Sequence, residues 1–230
     1  GLHPAISGSV FVIVLVAVTT LVVAIGAAVY LEEYAPTSGV AGAFARLVRI
    51  NISNLAGVPS VVYGLLGLGV FANLANLGVG TVITAAFTLS LLILPIVIIS
   101  AREAIQSVPD SLRQASYGMG ATRWQTIRRV VLPQALPGTL TGTILALGRA
   151  IGETAPLIMI GVATTAFSPP SGLFSRTSAM PMQVFVWSSY PSEAFQHGVV
   201  AAGVVTLLIV LLTMNSIAIL VRNKFERETH

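Results

Sequence analysis

Two formal charges interrupt an apolar stretch of this chain. The run Thr139-Leu-Thr-Gly-Thr-Ile-Leu-Ala-Leu-Gly-Arg149-Ala-Ile-Gly-Glu153-Thr154-Ala-Pro156 sets Arg149 and Glu153 at i and i+4, one face of a helix. In hydrocarbon each such charge costs about 2.5–3.5 kcal/mol on insertion scales, so neither belongs against lipid. Two readings stay open. In one, the pair neutralises itself and orients its helix, although a buried ion pair is a weak source of stability. In the other, Arg149 presents a permanent positive charge and a planar donor fork to an oxyanion, for which phosphate-like geometry is well suited. Glu153 then steadies the guanidinium and keeps a passing anion from binding too tightly. Pro156 withholds an amide from the carbonyl of Gly152, which predicts a kink beside the pair. Gly138 with Gly142, and Gly148 with Gly152, form two GxxxG pairs whose plainest use is close helix packing.

Basic side chains gather in a second place. Residues 101–137 carry Arg102, Arg113, Arg123, Arg128 and Arg129, and the segment is too long for a simple connection between apolar runs. Pro109-Asp110-Ser111 reads as a helix start, with an Asp or Ser side chain to cap free amides. Gly118 and Gly120 interrupt the pattern, and Thr122 is placed to cap a second short helix. There Trp124, Ile127 and Val131 recur at helical spacing, and Pro133 is expected to end it. Such a helix either lies on an anionic membrane leaflet or docks in the groove of a soluble partner. Residue pattern alone does not choose between them.

The elements that position these groups are membrane spans. Five apolar stretches are long enough to cross about 30 Å of hydrocarbon: residues 10–31, 55–73, 79–100, 138–166 and 197–221. Helices are expected, because open strands would leave backbone groups unpaired in lipid. Arg149 falls roughly 17 Å along a helix from Gly138, near the middle of the fourth span. Composition agrees with a membrane protein: 55% of residues are hydrophobic, 9% are charged, and the mean hydropathy is +0.89. A soluble domain carries about 25% charged residues, so a soluble enzyme is excluded. With no cysteine there is no thiolate metal site or cysteine nucleophile, and His3, His197 and His230 are too dispersed for a metal site. No set of residues suggests a nucleophile, base and acid. Glu103 and Asp110 read as solvated charges or a cap.

The net charge of +4 suggests nucleic acid only superficially. Arg46, Arg49, Arg102, Arg113, Arg123, Arg128, Arg129, Arg222, Lys224 and Arg227 all fall on one side of the five-span layout. Only Arg176 falls on the other side. The positive-inside rule then puts the C-terminus and the 101–137 loop in the cytoplasm and the N-terminus outside. The external loop, 167–196, is expected to hold a short interfacial helix near Met182–Trp187 or an aromatic belt.

Particular stretches resemble a known family. Gln114-Ala-Ser-Tyr-Gly-Met-Gly120, nine residues, then Val130-Val-Leu-Pro133 resembles the EAA loop of ABC importer permeases, with Gln114, Ser116 and Val130 departing from its usual residues. That resemblance implies a cytoplasmic coupling helix docked in an ATPase, at Gln114, Ala115, Gly120, Ala121, Thr122, Arg123 and Trp124. Tyr30-Leu-Glu-Glu-Tyr-Ala-Pro36, Asn54-Leu-Ala-Gly-Val-Pro-Ser60 and Arg149-Ala-Ile-Gly-Glu-Thr-Ala-Pro156 resemble the phosphate-specific transport (Pst) permeases, the A-type subunit most. The resemblance covers nearly the whole chain. It implies an all-α type I ABC importer permease bundle in a bacterial or archaeal plasma membrane, with five spans here and a first helix lacking.

Its implied activity is ATP-driven import of inorganic phosphate, with Arg149, Glu153 and Thr154 along the path. The implied partners are a related C-type permease, a dimeric ATPase, an external phosphate-binding protein and membrane lipids, with no nucleic acid. No G-x-x-x-x-G-K-[ST] pattern occurs, so ATP and its Mg belong to the ATPase partner and the chain itself is not an enzyme. A sulfate or molybdate importer is the near alternative, and an ion-coupled carrier or channel the distant one.

Overall fold

The computed structural model describes residues 2–162, 168–193 and 195–228. Apart from an isolated bridge between Thr81 and Arg176, the regular structure of the described residues is helical. Helix α1 (Leu2–Val29) carries no charge, and its last turn, Tyr30–Tyr34, winds wider than an α-helix. Together they form a 33-residue run, about 50 Å long, more than a bilayer core requires. Helix α2 (Gly39–Leu55) is followed by α3 (Ser60–Leu66), which widens through Gly67–Leu74. Pro59 explains the break, because it lacks an amide and biases the residue before it away from helix. The helix of this region thus starts at Ser60, whereas the apolar stretch starts at residue 55.

Helix α4 (Val82–Gln106) tolerates Pro95 in its interior. After it come α5 (Asp110–Gly118), α6 (Arg123–Thr126) and α7 (Leu132–Gly152). A wide turn over Ile127–Val131 joins α6 to α7, making one run of 30 residues. Pro133 therefore does not end the helix, contrary to the sequence expectation. Wider winding just ahead of a proline relieves the clash with the preceding turn and accommodates its missing amide. The chain continues through α8 (Ala155–Met159) and α9 (Met180–Ser188) to α10 (Val200–Glu228), which is preceded by a wide turn at Phe195–Val199. Among the described residues, four helical runs are long and apolar enough to span a membrane, or five if the α2–α3 pair counts as one. The expected end of the fourth apolar stretch, Ala166, and the start of the external loop, Phe167, lie outside the described residues.

The chain divides into two compact units, with the boundary falling inside α1, α4, α7 and α10. One unit comprises residues 1–19, 58–93 and 147–216. It packs by close approach: a Cβ on Gly64 of α3 would lie 2.7 Å from Met159 Cβ and 2.8 Å from Pro156 Cα. In the same unit the amides that open α4 are satisfied by a loop, Val82 N donating to the Ser175 carbonyl at 3.1 Å and Ile83 N to Leu173 at 2.9 Å.

The other unit comprises 20–57, 94–146 and 217–230. Its core is Ala28, Val29, Ala101, Ala104, Ile105, Val108, Ile127, Val131 and Ala135. Here the first GxxxG pair packs as expected, Gly138 facing Ala104 and Gly142 facing Ser100. The second pair does not match it: a Cβ on Gly148 would lie 3.6 Å from the Asn215 side-chain amide, and one on Gly152 would meet nothing within 4 Å among the described residues.

Candidate functional site

Helix α7 stops at Gly152, so Arg149 occupies its last turn. A cation there is favoured by the partial negative charge at a helix C-terminus. Glu153 is the first residue past the helix, and Arg149 Nε donates to its Oε1 at 3.3 Å. The Glu153 side chain is 15% exposed and that of Arg149 is 48% exposed. Among the described residues the two Nη groups of Arg149 make no hydrogen bond, so most of the donor fork faces away from its partner. The expected kink at Pro156 is instead a break. Pro156 lies in the first turn of α8, and Gly152 ends α7 rather than continuing past it. Thr154 precedes α8, with its carbonyl accepting from Ile158 N at 3.0 Å and its side chain making no capping bond.

The second group of candidate residues forms two short helices joined by a tight turn. Helix α5 ends in a paired-bond cap: Gly120 N donates to the Tyr117 carbonyl at 2.9 Å, and Ala121 N to Ser116 at 3.2 Å. Gly120 sits at φ +80°, the left-handed conformation this cap requires. Thr122 then opens α6 with a capping box, its amide donating to Gln125 Oε1 at 2.8 Å. The hydroxyls of Ser116 and Thr126, 2.8 Å apart, tie α5 to α6. Gln114, Ala115, Gly120, Thr122, Arg123 and Trp124 are exposed, and Ala121 is half-buried. Met119 is 84% exposed at the tip.

The expected stripe of Trp124, Ile127 and Val131 divides. Ile127 and Val131 are fully buried in the core, while Trp124 turns outward. The expected cap at the start of α5 also differs: no side-chain capping bond forms, and Asp110 instead lies 3.6 Å from Arg113 Nε. Within residues 167–196, the stretch expected to hold a short interfacial helix or an aromatic belt, lies α9. Its first turn, Met180 to Gln183, is buried, and Phe185 is exposed.

Sequence reasoning missed the acidic pair Glu32 and Glu33, which faces the basic loop. Glu32 Oε1 accepts from Arg102 Nε at 2.5 Å, Glu32 Oε2 accepts from Gln106 Nε2 at 2.7 Å, and Glu33 accepts from Arg113 Nη1. The available signal was their position: two adjacent carboxylates at the end of an apolar run, on the side to which the five-span layout assigns ten of the twelve basic residues.

The family of binding-protein-dependent transport system inner membrane components matches residues 10–226. The chain belongs to that family, a class of transport permeases that are not themselves ATPases. It is 32% identical to the probable ABC transporter permease protein YqgI of Bacillus subtilis over 91% of this chain and 74% of that protein. It is 33% identical to the phosphate transport system permease protein PstA 1 of Mycobacterium tuberculosis, over 96% of this chain and 70% of that one. Among solved structures, a chain of the MetNI methionine ABC transporter in an inward-facing conformation superposes with a TM-score of 0.71. That match is 18% identical and covers 100% of this chain and 97% of the other. The fold is therefore an all-α, multi-pass membrane fold of the type I ABC importer permease kind.

Proposed function

We propose that this chain is the A-type permease subunit of an ATP-driven importer of inorganic phosphate. The observation that carries this reading is the Nη fork of Arg149, unengaged among the described residues and held through Nε by Glu153 at a helix terminus. A guanidinium in that state presents two parallel donors to a tetrahedral oxyanion, while the nearby carboxylate weakens retention enough for release. Relatives bearing phosphate-permease names support the choice of phosphate over sulfate or molybdate. Thr154, adjacent to the pair, adds a hydroxyl to the path.

In this reading the turn between α5 and α6 docks in a dimeric cytoplasmic ATPase. A related C-type permease completes the pathway, and an external binding protein delivers the anion. All ten basic residues assigned to the cytoplasmic side belong to one compact unit, with Arg149 and Arg176 in the other, which supports a cytoplasmic C-terminus.

The test is uptake of labelled phosphate by the reconstituted complex carrying Arg149→Gln. Loss of a charge-assisted hydrogen bond worth about 1.5–3 kcal/mol lowers uptake roughly 10- to 150-fold. An assembled complex with unchanged uptake would leave Arg149 a purely structural role.

A further inference from the structure

The wide last turn of α1 contacts each element around the basic loop. The carbonyl of Leu31 accepts from Arg49 Nη2 of α2. Glu32 joins Arg102 and Gln106 of α4 at 2.5 and 2.7 Å, and its Oε1 lies 3.9 Å from Arg49 Nε. Glu33 pairs with Arg113 of α5, and the Arg113 Nη2 group donates to the Ile105 carbonyl at 2.8 Å. The ring of Tyr34 lies under the Arg123 guanidinium of α6, 5.0 Å from its centroid. Consecutive residues on an α-helix diverge by about 100°; wider winding narrows that step, so Glu32 and Glu33 both reach the same side.

The two arms of the loop are held differently. Helix α6 runs on into α7 as one helix, and Ile127 and Val131 anchor it in the apolar core. Helix α5 has no such anchor: its one buried residue is Ser116. With so little apolar area buried, α5 is fixed by polar contacts, the Ser116–Thr126 hydroxyl bond and the Arg113–Glu33 pair. Both members of that pair are shielded from water, with side chains 17% and 8% exposed. A shielded ion pair adds little net stability over apolar residues, but losing one partner leaves an uncompensated charge, so it fixes geometry more than it stabilises.

We propose that Glu33 and Arg113 form a latch that makes α5 and α1 move as one body when the motor pulls on the loop. They are positioning residues, touching neither ATP nor the transported anion. Without the latch, force applied at the Gly120 turn still reaches α7 through α6, but α5 no longer passes it directly to the last turn of α1. This inference rests on the reading of the α5–α6 turn as the ATPase docking element.

The experiment uses the complete importer in proteoliposomes and measures labelled phosphate taken up per ATP hydrolysed. Glu33→Gln lowers that ratio at least about tenfold, while the subunits still copurify and ATP hydrolysis continues. Because the chain has no cysteine, Glu33→Cys with Arg113→Cys allows the mechanical link to be rebuilt without charge. Joining these two thiols with a short bis-methanethiosulfonate reagent restores most of the ratio, and reductive cleavage in the same preparation abolishes it again. An unchanged ratio in Glu33→Gln overturns the latch. So does a pair of cysteines that the reagent bridges without restoring coupling, or fails to bridge in an assembled complex. Wild-type uptake that proceeds without ATP strikes instead at the docking reading on which the latch depends.

Discussion

Substitution of Gly120 separates the shape of the loop from its size. At φ +80° a residue with a side chain pays a backbone penalty, about 1 kcal/mol for Ala and more for a β-branched residue. Within the chain there is no steric term, because a Cβ at Gly120 meets nothing within 4 Å. Asparagine, although larger than alanine, tolerates the left-handed region and keeps the paired-bond cap. A 1 kcal/mol penalty lowers the ratio of correctly turned to other loop conformations about fivefold, and the roughly 2 kcal/mol expected for Val lowers it about thirtyfold. If turn geometry limits docking, uptake per ATP falls in the order Gly, Asn, Ala, Val. Should it follow side-chain volume instead, with Asn worse than Ala, the limit is fit in the partner's groove. The assay is phosphate uptake per ATP hydrolysed in proteoliposomes, with copurification of the ATPase as the assembly control. Wild-type uptake in Gly120→Val would refute the assignment of this turn as a docking element.

The structure also divides the small residues of α7. Gly142→Ala drives a methyl into the Ser100 side chain and lowers thermal stability in detergent by about 1–3 kcal/mol. Gly152→Ala meets open space and leaves stability unchanged or slightly raised; equal losses at both sites would contradict the packing described. Ile127→Ala empties a fully buried position in the core beneath the loop and costs about 2–5 kcal/mol by the same measurement. A loss below about 1 kcal/mol would mean that α6 is not anchored there.

Hydropathy made the long runs legible, since α1, α4 and α10 are apolar over lengths no soluble helix of this composition needs. It failed where the chain stays apolar but changes direction. Residues 155–162 continue the hydrophobic character of α7, yet the helix ends at Gly152 and α8 begins anew at Ala155. Pro59 signalled the α2–α3 break, but an apolar stretch beginning before it concealed the consequence. The fate of Pro133 depended on the winding of Ile127–Val131, which residue type does not encode locally.

Among the candidate residues, Arg149 and Glu153 were readable because charge in an apolar run is costly, and their i, i+4 spacing fixed their mutual reach. Thr122 was similarly local, since its place ahead of α6 marked it as a cap; its return bond from Gln125 came from the structure. The Glu33–Arg113 pair is eighty positions apart in sequence and depends on how α5 returns to α1. Neither periodicity nor spacing can supply that choice of partner.

The most direct measurement is transport by the purified wild-type complex, reconstituted with its permease partner, ATPase and binding protein. Labelled phosphate should enter only with ATP, with arsenate competing and sulfate and molybdate ineffective. Entry without ATP, or displacement of phosphate by sulfate at equal concentration, would contradict a motor-driven phosphate path through Arg149.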